Sequence, residues 1–355
     1  MKKIFFSVLA IAALAACTKS EVQYDAPQEI GFAPAVKNIT KAAMTAGTLL
    51  ELNPDQQLGI WAFWNYNGSE LLGSHTVEYL DNATFGKKDA TLANGTEVTA
   101  WGGVGYAYPW PNNGTLRFAG YTKFTSDGTV SYSGVAGDTI TFTDYTQANG
   151  FDLCWFKTTD PFNNRTTGTA IEVTLSHALT WLTFKVKGEG AAVGWKVNSI
   201  VLNNIASVGT GVCCGEGTGV AKWTCAPTAY TTNMPLLSTE LPLTDSFVNI
   251  EGTTPKNDFV VIPQAIKDRG QEGAKTSATL TIYYSFPVGD PEVAENWKTD
   301  NKVVNLDLTA NFDGNENEWK SGVHYTYNLT FTANEILVAP KYDGWHPIDQ
   351  PVTVD

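Results

Sequence analysis

The chain has 355 residues, 43% of them hydrophobic and 12% aromatic, a composition that excludes a disordered polymer and is long enough for two cores. The formal net charge is −13. With no basic stripe in the chain, that balance excludes nucleic acid as a partner and argues against adsorption to anionic lipid.

The first element is a targeting segment. "MKK" is a basic start, and "IFFSVLAIAALAA" is an apolar run too short to span a bilayer comfortably. It ends in Leu14-Ala15-Ala16-Cys17, which resembles a bacterial lipobox, so residues 1–17 read as a lipoprotein signal peptide. Small residues let a signal peptidase reach the backbone, and the Cys17 thiolate is the group that takes the diacylglycerol. At roughly 0.8 kcal/mol per buried methylene, the acyl chains hold the mature protein to a membrane with no transmembrane helix. No later run is long and apolar enough to span.

Next comes "EIGFAPAVKNITKAAMTAG", in which Ile30, Phe32, Pro34 and Val36 alternate with small or polar residues as on one strand face. Lys37 and Lys41 follow in a run of Ala, Thr, Asn and Gly that offers no core. This first strand, within about residues 28–41, is either a permanent edge or a removable piece with its cut site behind it.

From there almost every periodic segment reads as strand: "QLGIWAFWNYNG", "LRFAGYTKF", "TVSYSG", "DTITFTDY", "FDLCWF", "AIEVTLSHALTWLTFKVKG", "VNSIVLNNI", "NDFVVIP", "ATLTIYYSF", "KVVNLDLTANF" and "HYTYNLTF". These are rich in β-branched and aromatic residues and are separated by Gly, Asn, Asp and Pro clusters at hairpin spacing. "SHALTWL" opens with a short bend, and "PEVAENW" has room for one helical turn. Many short strands with regular turn signals predict an all-β protein built of β-sandwiches. The polar stretch "KTTDPFNNRTTGTA", residues 157–170, divides it into an N-terminal sandwich over 18–165 and a C-terminal one over 166–355.

Chemistry-bearing motifs are sparse. The four histidines, His75, His177, His324 and His346, lie in different segments with no HExxH, and there is no GxSxG, Walker loop or placed GxGxxG. His177 sits in an apolar strand and reads as a structural histidine. Cys154 reads as an inert packed thiol. Cys213, Cys214 and Cys225 flank a Gly-rich loop, and in an exported protein a disulfide from Cys225 to Cys213 or Cys214 is one reading. A zinc site fits those three badly, because a vicinal pair without a nearby histidine does not make a tetrahedron. "NFDGNENEW" has Asp313, Asn315 and Asn317 at calcium-loop spacing but lacks the glycine and the final acid, so it reads as a solvated turn. No catalytic residue, cofactor or metal is expected, and a glycoside hydrolase would need two facing carboxylates. Trp101, Tyr106, Tyr108 and Trp110 form either a glycan-stacking platform or, as aromatic strands usually do in a sandwich, core.

Read in order, "LGIWAFW" and "TAWGGVGYAYPWPNNGTLRFAGY", then "IEVTLSHALTWLTFKVKG", "VNSIVLNNI" and "FVVIPQ", resemble the fimbrillin family, the pilins of Bacteroidia type V fimbriae. So does the closing W-x-x-G-x-x-Y-x-Y, here Trp319, Gly322, Tyr325 and Tyr327, with a final strand and Trp345. The resemblance covers nearly the whole mature chain. It implies two transthyretin-like (Greek-key) β-sandwich domains in tandem, a lipoprotein carried to the outer membrane through acylated Cys17, and other pilin subunits as partners. It also implies a trypsin-like or arginine-specific protease that removes the first strand, leaving a groove that a neighbouring subunit's C-terminal strand fills. Donor segments here are "TYNLTFTANEILV" and the tail "PIDQPVTVD", whose Pro347 and Pro351 interrupt pairing. The only arginines, Arg117, Arg165 and Arg269, lie inside the expected domains, so the cut falls at lysine: Lys41–Ala42 first, Lys37–Asn38 second. A host glycan or protein is a further expected partner, and a surface glycan-binding lipoprotein is the alternative reading.

Overall fold

In a computed structural model, the β-branched and aromatic runs fold as strands. The structure describes residues 29–36, 57–67, 76–91, 97–123, 128–133, 139–147, 151–158, 161–162, 170–213, 220–250, 259–270, 272, 275–306 and 317–344. Ahead of residue 178 lie β1 (Gly31–Val36), β2 (Gln57–Asn65), β3 (Thr76–Thr91), β4 (Glu97–Gly103) and β5 (Thr115–Lys123). There follow β6 (Thr129–Tyr132), β7 (Ile140–Thr146), β8 (Cys154–Lys157) and β9 (Ile171–His177). The second half begins with β10 (Thr180–Gly188), β11 (Lys196–Ala206), β12 (Val208–Cys213), β13 (Ala221–Thr224), β14 (Tyr230–Leu237) and β15 (Leu241–Pro242). It continues through β16 (Val248–Asn249), β17 (Phe259–Val261), β18 (Gln264–Ala265) and β19 (Thr279–Pro287). The last four are β20 (Trp297–Asn305), β21 (Glu318–Trp319), β22 (Val323–Phe331) and β23 (Ile336–Gly344). Among the described residues the only helices are two 3₁₀ turns, Gly190–Ala192 and Ala294–Asn296, the second in the segment expected to hold one turn.

The protein is all-β and sandwich-built. Its first sheet closes on itself in the order β1-β4-β3-β2-β5-β8-β9. Residues of one parity on β2 and β5, among them Ile60, Ala62, Leu116 and Phe118, fill the inside of this ring. Those of the other parity, Trp61, Ala119 and Tyr121, pack outward against Ile140, Phe142 and Tyr145 of β7. Both faces are therefore covered, which is why "LGIWA" and "LRFAGYT" are nearly unbroken apolar runs rather than alternating ones. The outer cover is a four-stranded sheet, β13-β12-β7-β6. In the second half, β10 and β22 bring Leu182, Phe184, Tyr327, Leu329 and Phe331 against Ile200, Leu202, Leu280 and Ile282 of β11 and β19, and two five-stranded sheets enclose one core.

Three β-bulges share one device. Opposite Trp61, Thr210 and Asn233 the partner strand carries an extra residue. In each case an Asn or Asp takes the left-handed conformation: Asn82, Asp144 and Asn204, with φ of 44°, 54° and 58°. These residue types tolerate that region best after glycine, so the bulge positions are written in the sequence as Asn or Asp within a strand.

β9 follows residue 165 yet still belongs to the ring, pairing with β8 on one side and β1 on the other. The chain leaves the ring at Ala178–Leu179, inside a run whose apolar periodicity does not mark the bend. Moreover β7 pairs with β12 from Val208↔Thr146 to Cys213↔Ile140, so one sheet takes strands from both halves.

The Cys225–Cys213 bridge needs correcting. β12 and β13 pair Cys213 with Ala221 and Thr210 with Thr224. Cys225 therefore lies beside Gly209, about 13 Å of strand from the position facing Cys213. A disulfide needs Cα atoms within about 7 Å. Burial pushes the Cys225 thiol up to about 11 against the opposing pull of Arg269. Cys214 lies outside the described residues.

His324 on β22 faces Trp181 on β10, ring on ring at 3.6 Å and 10°, with Nε2 2.9 Å from Thr183 Oγ1. Burial, aided by Lys185, lowers its pKa from 6.5 to about 4. The unfolded chain takes up this proton near 6.5 and the folded one only near 4, so the stability present above 6.5 is lost as pH falls to 4. A shift of that size corresponds to about 3 kcal/mol. Urea unfolding of His324→Gln is expected to lose less stability across this window than the wild type, by that amount. Parallel pH profiles for the two would show that His324 is not the titrating group.

Candidate assembly site

The ring closes through β1. On one side β1 runs parallel to β9, from Phe32↔Ile171 to Val36↔Leu175. On the other it runs antiparallel to β4 at Gly31↔Gly102 and Phe32↔Trp101. Just ahead, the Ile30 N–H donates to the Tyr108 carbonyl at 2.8 Å, and Glu29 bridges Pro109. It is thus an interior strand, not the edge that one sequence reading allowed. Its core residues are Ile30 and Phe32, both 0% exposed. The Phe32 ring meets Phe85 and Phe118 edge-on at 5.3 and 5.1 Å and lies 5.9 Å from Phe156. These rings come from β3, β5 and β8, so one side chain touches three other walls of the ring. Take β1 away, and β4 and β9 face each other across about 9–10 Å with both backbone ladders open.

The four aromatics of "TAWGGVGYAYPW" separate. Trp101 and Trp110 are core, whereas Tyr106 is 61% exposed and Tyr108 stacks on Phe85 at 5.4 Å. The tryptophans of the alternative glycan platform are therefore not on the surface.

Over residues 40–345 the sequence matches the fimbrillin-like family. The chain belongs to that family. No curated protein sequence matches it. Among solved structures, the fold of this fimbrillin-like chain is similar to a fimbrial protein from Bacteroides vulgatus, at 17% identity and TM-score 0.58, covering 89% of this chain and 99% of that one. A looser likeness, too slight to argue from, is to the tip fimbrial protein of Porphyromonas gingivalis, at 11% identity and TM-score 0.40, covering 89% and 100%. Family membership carries the coarse function, a structural subunit of fimbriae at the cell surface. No helix among the described residues is long and apolar enough to cross a membrane.

The motifs of this fimbrillin-like chain have physical explanations. In W-x-x-G-x-x-Y-x-Y, Gly322 takes φ 69° at the turn into β22, and its N–H donates to the Leu179 carbonyl at 2.8 Å. The two tyrosines then share the buried face of β22. Trp319 Nε1 donates to the Tyr327 hydroxyl at 2.8 Å, and the Lys320 N–H donates to the Tyr325 hydroxyl at 3.1 Å. The Pro-Gln turn places Gln264 where its amide donates to the Ala206 and Ile262 carbonyls and accepts the Ala206 N–H.

Cys17, Lys37, Asn38, Lys41, Ala42 and the tail after Gly344 lie outside the described residues. Arg117 and Arg269 are buried: Arg117 Nε donates to the Thr158 carbonyl at 2.9 Å, while Arg269 donates to Gln264 Oε1 and to the Ala265 and Asn204 carbonyls and lies over Tyr230. Neither is open to a protease in the folded chain. Of the expected donor "TYNLTFTANEILV", the first part is β22, held between β10 and β23, with Tyr327, Leu329 and Phe331 buried. It is a core strand of its own subunit. Of the two strands this donor segment spans, β23 is the one at the end of its sheet.

One cluster escaped the sequence reading, which took its members singly. Cys154, opening β8, sits directly opposite His177 at the end of β9, and Asp152 lies two residues earlier. Cys154 Sγ is 3.2 Å from Asp152 Oδ2 and 3.5 Å from His177 Nδ1, and these two atoms are 2.8 Å apart. Burial first, and then the Asp152 charge, hold the Cys154 thiol well above its ordinary pKa. The available signal was an acid two residues ahead of a thiol that opens one strand, with a histidine closing the next.

Proposed function

We propose that this fimbrial structural subunit is made as a lipoprotein precursor acylated at Cys17 and carried to the outer membrane. A trypsin-like protease then cuts it after Lys41, or secondarily Lys37, and it joins other pilin subunits by donor-strand exchange. The supporting observation is the position of β1, seated between β4 and β9 with Ile30 and Phe32 fully buried. β1 is the plug that keeps the precursor monomeric, and its departure opens a groove with two unpaired edges for an incoming strand. The burial of Arg117 and Arg269 favours lysine as the cut residue. The subunit is not an enzyme, and its partners are neighbouring subunits, membrane lipid, the processing protease and a host glycan or protein.

Brief trypsin treatment of the folded full chain tests this. One clean trimming near Lys37 or Lys41 is expected, followed by oligomers on size exclusion, while a Lys37→Gln/Lys41→Gln double variant stays intact and monomeric. A chain that remains full-length, or is shredded without assembling, counts against the reading.

A further inference from the structure

We propose that Asp152, Cys154 and His177 form a binding site for one borderline-soft divalent cation, zinc being the one whose ligand preferences they fit. The backbone itself makes the side chains converge. Cys154 and His177 are cross-strand partners on β8 and β9, and Asp152, in the segment leading into β8, brings its Oδ2 to 3.2 Å from Cys154 Sγ. Each of the three offers one ligand atom, all within 4.8 Å of one another. Their separations of 3.2, 3.5 and 2.8 Å approach the edges of a tetrahedron with metal–ligand bonds of about 2.0–2.3 Å, which are about 3.3–3.5 Å.

Several further observations favour an ion over a simple hydrogen-bonded knot. Asp152 Oδ1 is buried with no hydrogen-bond partner, leaving carboxylate capacity that the contact with His177 does not use. The histidine is held from outside: Ser321 Oγ donates to its carbonyl at 2.9 Å, and Trp223 Nε1 donates to the adjacent Ala178 carbonyl at 2.6 Å. These bonds fix the backbone at the end of β9 that carries the imidazole. The three residues leave the fourth tetrahedral position to water. A mixed oxygen, nitrogen and sulfur set suits zinc and not calcium or magnesium, which take oxygen ligands. Binding displaces the Cys154 thiol proton to solvent, leaving the thiolate as ligand. The ion would tie β8 to β9, the strand against which β1 lies. The site does not depend on donor-strand exchange.

The full chain, refolded with a slight excess of zinc and then gel-filtered, is expected to carry one zinc per chain. With cobalt in its place, a thiolate-to-metal charge-transfer absorption is expected. Cys154→Ser should abolish that absorption, His177→Gln and Asp152→Asn should lose the bound metal, and Cys225→Ser should keep both. The wild-type chain decides without any variant having to fold: if it retains no zinc, the site is overturned. Retention unaffected by Cys154→Ser and His177→Gln, or Cys154 found in a disulfide, overturns it equally.

Discussion

A chain that begins at Ala42 is expected to leave the monomeric state under conditions where the full chain stays monomeric. It loses two side chains that are 0% exposed in the intact protein, Ile30 and Phe32, whose burial is worth about 3–6 kcal/mol together. It also loses the strand pairing of β1 with β9 and β4, at about 0.5–1.5 kcal/mol per hydrogen bond. What remains is a ring open at one place, with Phe85, Phe118 and Phe156 uncovered between two free edges. Such a surface recruits any extended segment of suitable pattern. Light scattering coupled to size exclusion reads the change. A peptide spanning residues 28–36, added in trans, should re-form the ring and suppress oligomers, whereas a Phe32→Asp version should not. If the truncated chain were a monomer with an unchanged melting temperature, β1 would be a passive cover and the assembly route would need another trigger.

Phe32→Ala in the full chain is expected to lower the stability by about 3–5 kcal/mol, the range for truncating a well-packed aromatic side chain in a core. The estimate sits at the high end for a short strand because the cavity is walled by rings from β3, β5 and β8, which cannot all collapse inward together. Tyr106→Ala, on a side chain 61% exposed, should change stability by no more than about 0.5 kcal/mol. Urea unfolding followed by tryptophan fluorescence measures both. A loss below about 1 kcal/mol for Phe32→Ala would mean that the ring does not depend on its first strand. The same variant should also oligomerise without proteolysis, since β1 is then held mainly by its backbone ladder.

Much of this architecture was legible. The strand runs of β2, β5, β7, β10, β11, β19 and β22 show in their β-branched and aromatic content because each buries at least one face. The strands not marked by such runs are β3, β4, β12, β13 and β14, besides the two-residue β15, β16, β18 and β21. β3, in "TVEYLDNATFGKKDAT", mixes charges with aromatics, and β12, in "VGTGVC", is one-third glycine. Their pairing is decided by neighbours rather than by composition. The first strand was visible through Ile30 and Phe32, but a sequence cannot say whether a strand is an edge or an interior member. That depends on β9, some 140 residues later, and on β4. The passage from the ring to the next sheet is hidden for a related reason: "IEVTLSHALTWLTF" is apolar on both sides of the bend at Leu179, so its period carries no sign that the chain changes sheets. The Asp152, Cys154 and His177 cluster requires the β8–β9 register, which only the fold supplies.

The sheet shared by the two halves has a mechanical consequence. Because β7 is laced to β12 along its length, a tensile load passing from the N-terminal ring to the C-terminal sandwich is carried by a hydrogen-bonded ladder as well as by the covalent link at Ala178–Leu179. Under pull, the two halves would behave as one stiff bar rather than as beads on a hinge. A fibre made of such units would resist bending within each subunit and concentrate its compliance at the joints between them.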